Sequence, residues 1–149
     1  MAIVAVIDTG INTNHFDLSS KLWHNPNEIV GNNRDDDKNG IIDDIHGFDT
    51  ITGLSISNIG DPEGHGTHVA GIVLTTSPNA EIMGLRILDE NGGGSLSDSI
   101  DAIGYALVNG ATVINNSYGA LGVRPSQVDF LQEVIRIGER NFNAVFVAA

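Results

Sequence analysis

The 149 residues fit one domain or one incomplete domain, and 41% hydrophobic with 17% charged residues describes a packed globule rather than a disordered tail. Lys and Arg total 7 against 19 for Asp and Glu, a formal net charge of −12 that repels a phosphate backbone and an anionic membrane surface and so excludes both as main partners. With no cysteine, a disulfide framework, a thiolate metal site and a thiol nucleophile are excluded as well.

In chain order, residues 3–7 (Ile-Val-Ala-Val-Ile) form an unbroken apolar run, the pattern of a parallel strand covered on both faces. The run is far short of the roughly 18 residues a membrane span needs, and no signal-peptide pattern opens the chain. Asp8-Thr9-Gly10 follows at the carboxyl end of that strand, the edge where open α/β sheets bind ligands; an ordinary turn is the plain alternative. Residues 27–49 are dense in Asp and Asn and poor in apolar groups, which predicts a long loop of the functional or ligand-held kind. Within it Asp35, Asp37 and Asn39 fall at i, i+2 and i+4, Gly40 permits a sharp turn, and the Ile41 carbonyl comes next, as in the opening of an EF-hand-like calcium loop. At position twelve His46 replaces the bidentate Glu, so Asp43 or Asp44 has to complete the shell and Asp44 is expected to do so, with a solvated acidic surface as the alternative.

Gly64-His65-Gly66-Thr67-His68 opens a predicted helix running through Val69, Ile72 and Val73, and its small residues let another backbone or a substrate approach the imidazole. A zinc-protease helix needs His-Glu-x-x-His, which is missing. Residues 82–87, 112–114 and 144–147 read as further strands. Between them lie one helix with Ile100, Ile103 and Leu107 on a face, stopped by Gly110, and another capped by Ser126 with Leu131, Val134, Ile135 and Gly138 on a face. Strands alternating with helices predict an α/β fold with right-handed crossovers. A chain that opens inside a strand and stops just after one reads as part of a larger domain.

Asp8-Thr9-Gly10, then Gly64-His65-Gly66-Thr67-His68-Val69-Ala70-Gly71, then Val113-Ile114-Asn115-x-Ser117-x-Gly119, in this order, closely resemble the subtilisin-like serine proteases, or subtilases, over nearly the whole chain. The resemblance implies a three-layer, doubly wound parallel sheet, incomplete here: residues 1–149 are a partial catalytic domain with the acidic loop at about 27–49 inserted. It implies that Asp8 and His65 are the triad aspartate and histidine, and that Gly92, Gly93 and Gly94 form the edge pairing with extended substrate. Ser117, Tyr118 and Gly119 match a wall of the pocket for the residue before the cut, and His68 a mainly structural position.

The family's oxyanion-hole asparagine and its serine in a Gly-Thr-Ser motif are not among these residues, and none of Ser77, Ser95, Ser97, Ser117 and Ser126 has a nucleophile-like context. The chain alone is therefore expected to be inactive, with an extended peptide or the missing carboxyl-terminal half as its partner. Two alternatives stand beside this: a non-catalytic module that binds peptide or a partner chain, and a calcium-stabilised α/β domain without peptide chemistry. Many subtilases hold calcium on a loop inserted in the helix after the His motif, together with an aspartate like Asp17. Here residues 72–74 run almost directly into 75–80, so that loop reads as deleted and Asp17 as a capping or structural residue. Self-association through an uncovered last strand, and a secreted or cell-surface location for the full-length protein, complete the expectations.

Overall fold

The computed structural model describes residues 1–119 and 123–148. In β1 (Ile3–Asp8) successive side chains face opposite sides of the sheet. Val4 and Val6 join Leu18, Leu22, Ala70 and Ile82 in one apolar cluster, whereas Ala5 and Ile7 join Met83, Leu85, Ala102, Ile103 and Ala106 in another. Both faces are covered, which is the physical reason the run lacks alternation.

Five more strands extend the sheet: β2 (Gly47–Asp49), β3 (Leu54–Ser55), β4 (Glu81–Arg86), β5 (Val113–Asn116) and β6 (Val145–Ala148), in the order β3-β2-β4-β1-β5-β6. Every neighbouring pair is parallel except β2 and β3. The short α1 (Ile56–Ile59) leads to α2 (His65–Thr76), which packs Val69, Ala70, Val73 and Leu74 on one face. The other face carries α3 (Leu96–Val108) and α4 (Pro125–Phe142), through Ala102, Ile103, Ala106, Leu131 and Val134. The three-layer α/β architecture is that of the subtilisin type, and the parallel register brings the ends of β1, β2, β4 and β5 to one edge: Asp8 opposite Arg86, Asp49 opposite Arg86, and Ile7 opposite Asn116.

Three local expectations change. The loop foreseen at 27–49 gives its last three residues to β2, whose parallel pairing with β4 is a long-range contact with no local signature. The last helix begins before Ser126: Arg124 is the cap, Pro125 takes the first turn, and the Gln127 side chain accepts the Arg124 N–H at 3.1 Å. Of the two roles expected for Asp17, capping is not seen among the described residues: Leu18 holds the cap of the short helical turn Ser19–Lys21, and the exposed Asp17 carboxylate lies 4.0 Å from His15 Nδ1. The helix over 96–108 ends as foreseen before Gly110, and a Ser95–Asp98 capping box starts it.

Candidate active site

Asp8 ends β1 with no exposed surface, and its Oδ1 lies 2.8 Å from Nδ1 of His65, the first residue of α2. The Thr9 backbone N–H donates to the same carboxylate oxygen at 2.7 Å. The approach of strand end and helix start is possible because residue 66 is glycine: a Cβ there would stand 2.2 Å from the Gly10 carbonyl oxygen and 3.1 Å from the Asp8 Cβ. Gly64, the helix cap, holds φ at 95°, so the chain turns sharply into the helix. The His65 side chain remains 47% exposed and can meet a substrate. The Asp8 hydrogen bond and charge raise its pKa above the ordinary imidazole value, slight burial opposes this, and the carboxylates of Glu63 and Asp61 add to the rise. A buried carboxylate on Nδ1 with an open opposite nitrogen is the arrangement of a general base with its tautomer held.

Beside this pair, the Ile87 and Leu88 backbone N–H groups donate to the Asp8 carbonyl, tying the exit of β4 to the end of β1. From there the chain borders a cavity of about 600 Å³ with Gly92, Gly93, Gly94, Leu96, Tyr118 and Gly119 in its lining. Tyr118 donates its hydroxyl to Asn116 Oδ1 at 3.0 Å, and Ser117 Oγ accepts from Asn115 Nδ2 at 2.8 Å, so Ser117 sits at the exit of β5 rather than in that lining. Gly92 and Gly93 are part of a closed turn: Gly92 N–H donates to the Asp89 carbonyl, Gly93 N–H to Asp89 Oδ1, and Asp89 N–H to the Gly93 carbonyl. The structure thus gathers the three glycines, Tyr118 and Gly119 round one apolar cavity next to the Asp8–His65 pair.

The model of the Subtilase family matches residues 1–149, the whole chain. The chain belongs to the subtilase family. Similar curated relatives include the Subtilisin-like protease 1 of Plasmodium berghei (strain Anka), 35% identical over 129 residues that make up 77% of this chain and 21% of that protein. Another is the Thermophilic serine proteinase of Bacillus sp. (strain AK1), 37% identical over 129 residues, 78% of this chain and 25% of that protein. Among solved structures, a cold adapted subtilisin-like serine proteinase superposes with a TM-score of 0.67 at 25% identity, covering 99% of this chain and 45% of that one. The chain therefore spans between a fifth and a quarter of the length of these two curated relatives.

This subtilase also carries a candidate metal centre in its acidic loop, with a ligand set that differs from the one its spacing suggests. Carboxylate oxygens of Glu28, Asp37 and Asp44 all lie within 4.8 Å of one another. Asp35 is turned away, its two oxygens accepting the Asn39 and Gly40 N–H groups. Asn39 uses Oδ1 for the Ile41 N–H and presents its amide nitrogen to Asp37 and Asp44 at 3.2 and 2.9 Å. Ile41 is expected to act through its backbone carbonyl, and the burial of its side chain in the core does not bear on that. Of the five residues suggested by spacing, only Asp37 and Asp44 converge as carboxylates, and Glu28 joins them from nine residues before Asp37.

Glu28 is 8% exposed; Oε1 accepts the Asp36 and Asp37 N–H groups, while Oε2 is buried with no hydrogen-bond partner among the described residues. An orphaned carboxylate oxygen among two further carboxylates fits a hard divalent cation such as calcium. Burial and the Asp37 charge raise the Asp44 pKa, outweighing hydrogen bonds from Tyr105, Asn39 and Asn25; burial first, then the bond to Asp44 and the neighbouring carboxylate charges, push the Tyr105 hydroxyl far above its ordinary value. His46, the position-twelve residue, bonds the Trp23 carbonyl through Nδ1 at 2.8 Å. The helix that carries a calcium loop in many subtilases is here continuous from His65 to Thr76. Among the described residues no helix is long and apolar enough to cross a membrane.

Proposed function

We propose that this chain is the Asp- and His-bearing portion of a subtilisin-like serine endopeptidase. The observation that carries the reading is the 2.8 Å contact of His65 Nδ1 with the fully buried Asp8 at the carboxyl edge of a parallel sheet. Asp8 fixes the imidazole tautomer and stabilises the imidazolium; His65, through Nε2, takes the proton of an attacking serine and returns it to the leaving amine. Extended peptide lies along Gly92–Gly94 and Ser117–Gly119, with the apolar cavity receiving one of its side chains. The sequence holds no Gly-Thr-Ser, so the nucleophile is supplied by residues outside these 149. The full-length protein works outside the cytoplasm, where millimolar calcium suits an acidic centre held by Glu28, Asp37 and Asp44; calcium bound there would offset two of the three converging negative charges.

The test is reconstitution. The 149-residue chain alone is expected to hydrolyse no extended peptide and to take up no sulfonyl fluoride on serine. Refolded with the remainder of the catalytic domain it is expected to gain activity, and Asp8→Ala or His65→Ala removes most of that gain. Serine labelling in the chain alone, or reconstituted activity indifferent to His65→Ala, overturns the reading.

A further inference from the structure

The first turn of α2 leaves its amide donors to be satisfied from outside the helix, and Gly64 has no side chain to do so. Each donor nonetheless has an acceptor. His65 N–H donates to Glu63 Oε2 at 2.8 Å, Gly66 N–H to Thr9 Oγ1 at 3.0 Å, and Thr67 N–H to Asp61 Oδ2 at 2.8 Å. Asp61 accepts three further bonds: from Thr67 Oγ1 at 2.6 Å, from the Gly64 N–H at 2.9 Å and from Thr9 Oγ1 at 2.8 Å. Thr9 is also the residue whose N–H binds Asp8 Oδ1. Thr67 Oγ1, in turn, accepts the Asn12 N–H at 3.0 Å, so a second stretch after β1 is bound to the same helix turn.

One carboxylate four residues before His65 therefore links the end of β1, the entry turn and the third residue of α2. We infer that Asp61 is a positioning residue for the Asp8–His65 pair, holding the start of α2 against the end of β1 so that Nδ1 stays on the Asp8 carboxylate. The inference rests on the proposed Asp–His catalytic reading and assigns it a further group. Asp61 acts through others: none of its four bonds goes to His65. Helix capping by Asp is common, but the usual cap sits next to the helix and serves it alone. Here the accepting oxygens are divided, Oδ1 holding Thr9 and Gly64, Oδ2 holding Thr67 twice. Cutting this one group frees both sides of the joint. Its pKa lies below the ordinary carboxylate value: burial would raise it, but the bonds from Thr67, Gly64 and Thr9 outweigh that, and it stays a charged acceptor at neutral pH.

The experiment uses the 149-residue chain and reads His65 by nitrogen-15 NMR across pH, in the parent, Asp61→Ala, Asp61→Asn and Asp8→Asn. The charged groups facing His65 are Asp8, Glu63 and Asp61, so Asp61→Asn, which removes charge but keeps the size and one acceptor, separates field from position. Asp61→Ala is expected to lower the His65 midpoint, to remove the low-field Nδ1–H resonance, and to speed exchange of the Thr67 amide at least about tenfold, with core amides of β1 and β4 unchanged. Asp61→Asn is expected to lower the midpoint while retaining the low-field resonance. Where Asp61→Ala does not fold, Thr9→Val, which cuts the bond to Asp61 and the bond from the Gly66 N–H while leaving every charge in place, decides: loss of the low-field Nδ1–H resonance supports the positioning role and a parent-like resonance overturns it. A parent-like midpoint and resonance in both Asp61 variants, with Asp8→Asn lowering the midpoint, overturns the role of Asp61 and leaves the pair intact. A midpoint unmoved by Asp8→Asn overturns the pair and this inference with it.

Discussion

His65 gains a partner on folding, and that sets a direction for the pH dependence of stability. Its folded-state pKa is raised, chiefly by the hydrogen bond and charge of Asp8. The stability from this interaction is present in full below the ordinary histidine value of about 6.5 and is lost as pH rises through the raised value. Melting temperatures at fixed ionic strength are expected to fall over that interval in the parent, and the fall is absent in His65→Ala and reduced in Asp8→Asn. At residue 66 the constraint is steric. Gly66→Ala drives a methyl to 2.2 Å from the Gly10 carbonyl, so β1 and α2 must part. Overpacking of this kind costs about 1–3 kcal/mol, readable in urea unfolding, and the displaced imidazole loses its contact with Asp8. The Gly-His-Gly-Thr-His string was legible because its glycines answer local demands: Gly66 a close contact of this sort, Gly64 a positive φ at the entry to the helix. Asp61 was not, since its four bonds come from Thr9, Gly64 and Thr67, and the Thr9 contact joins residues 52 apart in the chain.

Among the elements, the acidic loop and the α4–β6 unit carry expectations of opposite kind. In the loop, Glu28, Asp37 and Asp44 converge, and Asp44 accepts the Tyr105 hydroxyl from α3, so a cation held there would fasten the loop to a helix that borders the groove. A ligand at 100 times its Kd stabilises a fold by about 2.7 kcal/mol, so millimolar calcium against EGTA is expected to raise the melting temperature of the chain. Glu28→Gln and Asp37→Ala should each abolish most of that rise, whereas Asp35→Ala should leave it, because the Asp35 oxygens serve the loop backbone. Coincident melts in calcium and EGTA would reduce the loop to acidic surface. At the other end of the sheet, β6 pairs only with β5 among the described residues, and Phe130, Ile137, Phe142, Val145 and Val147 are exposed. A strand edge beside an apolar face is a template for pairing. The 149-residue chain is expected to self-associate in light scattering, and Val147→Lys should shift it toward monomer.

For the whole molecule the net charge of −12 opposes both compaction and self-association. Salt screens that repulsion over about 10 Å at 0.1 M, so added monovalent salt should raise stability and promote association together. Reconstitution with the rest of a catalytic domain should then proceed faster at moderate than at low ionic strength if the added part is also acidic, a comparison open to stopped-flow measurement.

What the sequence determined by itself was whatever depends on near neighbours in the chain. The unbroken apolar run of β1, the Gly-bounded His65 motif, the periodic apolar faces of α3 and α4, and hence the alternation of an α/β fold, all rest on steric or hydrophobic rules with a short period. The family resemblance extended this to Asp8 and His65 as partners, and the fold sets them 2.8 Å apart. Only the tertiary structure decided which acidic groups converge, that β2 joins β4, and that Asp61 binds helix to strand. Those outcomes depend on residues brought together across gaps no fixed spacing encodes: Glu28 with Asp44, Gly47 with Gly84, Thr9 with Asp61. An EF-hand spacing foresees ligands within one loop, whereas burial of Glu28 and the backbone bonds of Asp35 exchange one for the other, and burial is a property of the packed chain alone.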